Sequence, residues 1–186
     1  MKLFQVLGII GMASAFLFIG VCILVSPWFN VYNNALSDLG NMDLHSLTSW
    51  IFNTGLIISG FLLALSAISL SIRKATWKYL IWTIPLTLAG VDLALIGFFP
   101  ENIGGTHFIV SVIFFVSLIL TMLLHSYSSL RQGTLVISAI SLILAIASII
   151  IWSCKWPWRG VAIQETATSA ITAFWLIWVY QKNKLC

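Results

Sequence analysis

Four side chains in this sequence have the makings of a reaction centre: Asp38, Asp92, His107 and Glu165. A carboxylate–imidazole set of this kind can hold zinc, manganese or iron and activate a bound water. Without a metal, His107 can act as general base while a carboxylate orients it. Asp92, His107 and Glu165 are the candidate ligands if a divalent metal is the cofactor. No HxxxH or HExxH pair is present, so the standard zinc signature is absent. Ser37, Asn53, Glu101, Ser111, Ser169 and Arg159 complete the set as candidate substrate contacts.

Each of these residues also has a plainer explanation. Asp92 falls seven residues before Phe99, so it lies roughly 10 Å inside the end of its helix. A carboxyl at that depth in a membrane normally faces protein or a wet cavity and marks function, but it can also bond a neighbour to hold helices together. Glu165 sits in the first turn of a helix, where an acid favours the positive dipole end. Thr168 and Ser169, three and four positions on, share its face. His107 opens a helix with Ser111 one turn deeper, and could simply bond a loop carbonyl. Ser37 or Asp38 could cap a short helix in a long loop, or the loop could be a lid that brings Asp38 over the helix-borne groups. His45 and His125 are weaker candidates, the latter at the far end of the fourth helix.

What positions them is a membrane fold. Sixty per cent of the 186 residues are hydrophobic, only 8% are charged, and the mean hydropathy is +1.05. A soluble domain carries about 25% charged residues; this chain cannot clothe itself for water. About 20 apolar residues cross the hydrocarbon core as a helix, and six stretches qualify: residues 3–25, 51–72, 79–99, 107–127, 134–153 and 161–180. Lipid offers backbone groups no partners, so these runs must be helical, and they lack the alternation of a barrel strand. The expectation is all-α: a polytopic six-transmembrane-helix bundle, residues 1–186 forming a single transmembrane domain, with a long loop over 28–50. The first run is too long for a signal-peptide core and has no convincing cleavage site, so it reads as a helix of the mature protein. Gly8 with Gly11, Gly55 with Ser59 and Gly60, and Gly90 with Gly97 offer close-packing faces. Pro85 is expected to kink the third helix.

Orientation follows from charge. With the N-terminus inside, Lys2, Arg73, Lys74, Lys78, Arg131, Lys182 and Lys184 are cytoplasmic, and only Lys155 and Arg159 of the nine basic residues face out. This positive-inside bias places both termini in the cytoplasm of a multi-pass cell-membrane protein. All five acidic residues then fall outside or in the outer halves of helices.

Several classes can be set aside. The basic residues are scattered beside apolar runs, so no nucleic-acid-binding stripe forms; the expected partners are membrane lipids, and no pattern fixes an oligomeric state. Cys22, Cys154 and Cys186 make no CxxC and no even framework. No P-loop or dinucleotide fingerprint occurs, and the histidines are wrongly placed for a b-type haem pair.

Leu36, Ser37, Asp38, Leu39 and Gly40 in the long loop, with Phe52, Asn53, Thr54 and Gly55 in the second helix, form a recognisable pattern. Gly97, Phe98, Phe99, Pro100 and Glu101 close the third helix, His107 follows, and a Glu opens the sixth. Together these resemble the prokaryotic six-helix membrane family catalogued as domain of unknown function 998, and more distantly the DRAM-like membrane proteins. The resemblance covers nearly the whole chain and implies a six-helix fold without an established activity. Membrane hydrolases that set His, Asp and Ser around a metal offer an analogy, but this chain lacks their three outer histidines.

Three functions compete. An enzyme would gather Asp38, Asp92, His107 and Glu165 to act, hydrolase-like, on a lipid or lipid-linked substrate. A small-molecule or proton-coupled transporter would use Asp92 as a protonatable gate, although the inner helix halves hold almost no charge. A structural or partner-binding protein would spend the polar cluster on helix packing.

Overall fold

The apolar runs wind into helices whose backbone groups are satisfied internally, as a lipid environment demands. The computed structural model describes residues 2–182. It contains α1 (Leu3–Leu24), α2 (Ser46–Lys74), α3 (Trp77–Phe98), α4 (Gly105–Arg131), α5 (Leu135–Ser153) and α6 (Ala162–Lys182). Two 3-10 turns, Leu36–Gly40 and Glu101–Ile103, lie in the loops, and no strand occurs among the described residues. The fold is all-α with six helices. Lys184 and Cys186 lie outside the described residues.

Five of the six, α1 to α5, are long and apolar enough to cross a membrane. α6 differs because Gln164, Glu165, Thr166, Thr168, Ser169 and Thr172 dilute its first half. Glu165, Thr168 and Thr172 are nevertheless buried, at a spacing that puts them on one inward face. Outward-facing side chains such as Leu17, Phe61 and Ile143 are each more than half exposed, the apolar surface a bilayer would cover.

The long loop is shorter than the sequence suggests, because α2 starts at Ser46 and not near residue 51. Thr48 and Ser49 are buried there, and the Cys22 thiol on α1 donates to the Thr48 carbonyl at 3.4 Å. Packing against α1 thus extends the helix through residues too polar to count as span. Pro85 lies inside an unbroken α3.

Each helix packs on its neighbours in chain order, and α6 returns to meet α1 along a thin seam. α2 and α3 approach most closely. A Cβ on Gly60 would strike the backbone of Gly90 and Ala94, and one on Gly97 the Asn53 carbonyl; small residues allow this in lipid, where apolar attraction alone does not drive association. Hydroxyl pairs tie other helices: Ser14 with Ser59 at 2.9 Å, Ser71 with Thr83 at 2.7 Å, and Ser126 with Ser138 at 3.0 Å.

The half of the bundle near the chain termini is the solid half. Gln5 donates to the Tyr180 carbonyl at 2.5 Å, and Ser66 bonds the Tyr180 hydroxyl at 2.7 Å. Trp82, His125 and Trp175 meet edge to face, with His125 centred 5.0 Å and 5.2 Å from the two indoles. The Ser141 hydroxyl serves both His125 and the Trp175 indole, each at 2.9 Å. The other half, which carries the long loop, is where the molecule is hollow.

Candidate functional site: a cavity at the loop end

The loop folds over the loop end because its backbone is held by main-chain bonds. Tyr32 accepts from the Arg159 and Gly160 amides at 3.0 and 2.9 Å, and Asn34 accepts from the Ala162 amide at 3.0 Å. Gly160 sits so tightly on the Asn33–Asn34 backbone that a Cβ there would overlap it. Trp28 stacks on His45 with ring centroids 4.0 Å apart.

Polar side chains finish the attachment. Glu165 accepts the Leu36 amide at 2.6 Å, joining loop to α6. Asp38 accepts from the Asn34 side chain at 2.8 Å and the Ala35 amide at 3.0 Å, turning the 3-10 segment on itself. Asn41 bonds Glu101, linking the long loop to the α3–α4 connection. Asn53 donates to the Gly40 carbonyl at 2.9 Å. The sequence marks Asp38, Asn53, Glu101 and Glu165 as site candidates; their visible work is to hold the loop in place.

Beneath the loop lies a cavity of about 480 Å³, within the range typical of ligand pockets. Asp38, Glu101, His107 and Glu165 line it with Ser37 and Ser111. A narrower apolar cleft of about 100 Å³ runs deeper among α1, α2, α3, α4 and α6, with walls that include Ala15, Phe52, Ser169 and Ala173. Ser37, Ser111, Phe115 and Glu165 line both, so the two spaces lie side by side there.

His107 stands at the start of α4, where Gly104 takes φ +71° and ψ −110°, a region open essentially to glycine alone. Its Nδ1 lies 2.7 Å from the Phe99 carbonyl. A carbonyl only accepts, so Nδ1 carries the hydrogen, and in the neutral ring Nε2 is left with the lone pair. That Nε2 is buried and has no protein partner.

Three of the four expected reactive residues therefore share one cavity, and Asp92 does not. It is buried on α3, its Oδ2 has no partner, and it lines neither space. Among the described residues no three His, Cys, Asp or Glu side chains are grouped to hold a metal ion. Ser169 lines the deep cleft, whereas Thr168, expected on the same face, turns to accept the Trp152 indole at 2.9 Å. Arg159 is exposed and lines neither space; its backbone, not its side chain, makes the loop contact. The deep cleft is the feature sequence reasoning missed, since its walls are ordinary apolar residues from five helices.

A family model described as protein of unknown function (DUF998) matches residues 9–181. The chain belongs to that family. The more distant DRAM-like resemblance has no counterpart in the comparisons. No curated protein and no solved structure matches the chain.

Proposed function

We propose that this DUF998 member is a multi-pass protein of the cell membrane whose loop-end cavity takes an amphiphile, a lipid or lipid-linked molecule. The observation that carries the reading is the shared wall: Ser37, Ser111, Phe115 and Glu165 border both a chamber that carries acidic groups on mainly apolar walls and a deeper apolar cleft. A headgroup suits the first and a hydrocarbon chain the second. The thin α1–α6 seam beside the cleft offers a route from the bilayer. In this reading α6 is a sixth span, its polar face turned inward, and the basic residues set both termini in the cytoplasm. Native mass spectrometry of the purified protein tests it. A bound lipid retained by the parent should be lost from Ala15→Phe, which fills the cleft; equal retention by a folded variant would sink the reading.

Hydrolysis is the second reading, favoured by the unpartnered Nε2 of His107. Ser111, one turn deeper, lies on the shared wall, where the bond between headgroup and chain would rest. Nε2 is closed off in this structure, so the reading requires the ring's surroundings to open; His107 would then take a proton from water or from Ser111 as general base, its ring held by the Phe99 carbonyl. Asp38 and Glu165 would position the loop over the substrate. Release of fatty acid from a lipid by the parent and not by His107→Gln is the expected result; equal release by both would remove His107 from the mechanism.

A further inference from the structure

We infer that the headgroup chamber selects a cationic amphiphile, one bearing an organic ammonium group. The inference rests on the amphiphile reading above and adds the charge of its head.

Three carboxylates, Asp38, Glu101 and Glu165, line the chamber, and no Lys or Arg does. Their protein donors are all neutral: the Leu36 and Ala35 amides and the side-chain amides of Asn34 and Asn41. Each of these bonds goes to a single carboxylate oxygen, Oδ2 or Oε2, so the second oxygen of each has no protein donor among the described residues. Carboxylates taken out of bulk water need compensating charge or hydrogen bonds, and here part of that compensation is missing.

The spacing and the walls say which cation fits. The acidic groups do not converge as a trio able to chelate one small ion. An ammonium group with organic substituents spreads its charge over a larger volume and can face several separated carboxylates together. Phe108, Phe115 and Trp152 line the same chamber, and aromatic faces beside acids are the recurring means of holding such groups. Glu165 is itself only 9% exposed, lines both the chamber and the cleft, and has a protein donor on one of its two oxygens only. The Nε2 of His107 is closed off from the chamber and takes no part in holding the head.

The opposing field is smaller. The N-termini of α4 and α6 open at this end, each worth roughly half a positive charge, against the carboxylates of Asp38 and Glu101 and the buried acid of Glu165. The electrostatic balance of the chamber is negative.

Three amphiphiles that share one chain test the inference: decyltrimethylammonium, decanol and decanoate. Their saturable binding is measured on the full chain in phosphatidylcholine nanodiscs, with empty nanodiscs subtracted. The ammonium should bind about tenfold tighter than decanol, the scale of a partly screened charge contact, and decanoate should bind weakest. A Glu101→Gln/Glu165→Gln variant keeps oxygens for Asn41 and Leu36 and should lose the preference for the ammonium over decanol. Equal binding of all three, tighter decanoate, or a preference that survives in the variant would overturn the cationic assignment and leave the amphiphile site standing. Saturable binding of none would remove the amphiphile reading itself.

Discussion

The Leu36 amide donates to the Glu165 carboxylate across 2.6 Å, joining residues 129 positions apart in the chain. Leu36 is buried, so without the carboxylate its N–H would have no water to turn to. Glu165→Ala should destabilise the protein by about 1–3 kcal/mol. It should also speed hydrogen exchange in residues 28–45. Glu165→Gln keeps an acceptor oxygen and should cost less. Thermal unfolding in detergent with exchange mass spectrometry checks both.

The Ser141 hydroxyl should be a stability determinant remote from any ligand. It faces the His125 ring and the Trp175 indole at 2.9 Å each, and lines neither cavity. Ser141→Ala strands at least one buried partner and should cost about 2 kcal/mol, read from the unfolding midpoint. Amphiphile binding near ambient temperature should be unchanged.

Glycine substitutions should split by position. A Cβ on Gly90 would lie 2.5 Å from the Ala64 nitrogen, whereas one on Gly20 would meet nothing within 4 Å. Gly90→Ala should destabilise by about 1–3 kcal/mol through overpacking of α2 on α3. Gly20→Ala should stabilise α1 by about 0.5–1 kcal/mol, since it removes backbone freedom from a helix interior. Unfolding of the two variants in the same detergent makes the comparison.

Asp92 should prove dispensable for ligand binding. It lines neither cavity, and its Oδ2 has no partner. A buried carboxyl with an unpartnered oxygen carries a desolvation cost that an apolar side chain of similar size does not. Asp92→Leu should therefore unfold within about 1 kcal/mol of the parent and bind amphiphile equally. Lost binding in a folded Asp92→Leu would return this residue to the site.

Orientation can be read from one thiol. Cys154 is exposed at the loop end and Cys22 is buried. In a Cys186→Ser background, a membrane-impermeant maleimide should label Cys154 in intact cells. Labelling only after the cells are opened would place the loop end in the cytoplasm.

Much of the fold could be read from the chain because lipid simplifies the code: an apolar run of sufficient length has one outcome. The start of α2 was not legible, since Thr48, whose carbonyl takes the Cys22 thiol, and Ser49 are buried by packing and not marked by their own hydropathy. At the site, the sidedness of Asp38, Glu101, His107 and Glu165 was visible as a pattern, and the cavity does draw them together. Asp92 followed the same pattern yet faces elsewhere, because depth along a helix says nothing of rotation about its axis. The bond from Leu36 to Glu165 was beyond reading, as a main-chain amide has no signature in sequence. Nor could spacing foretell a cleft made of ordinary apolar walls.

The cleft draws walls from α1 and from α6, the first and the last of the six described helices in chain order. While α6 is still being made, the space that would receive a chain has an open side toward lipid, and the loop has no Glu165 to fasten it. The walls of the cleft are therefore complete only once α6 has joined α1. Early termination anywhere before α6 would leave a helical remnant in the membrane with no chamber, so partial products should be inert and not partly active.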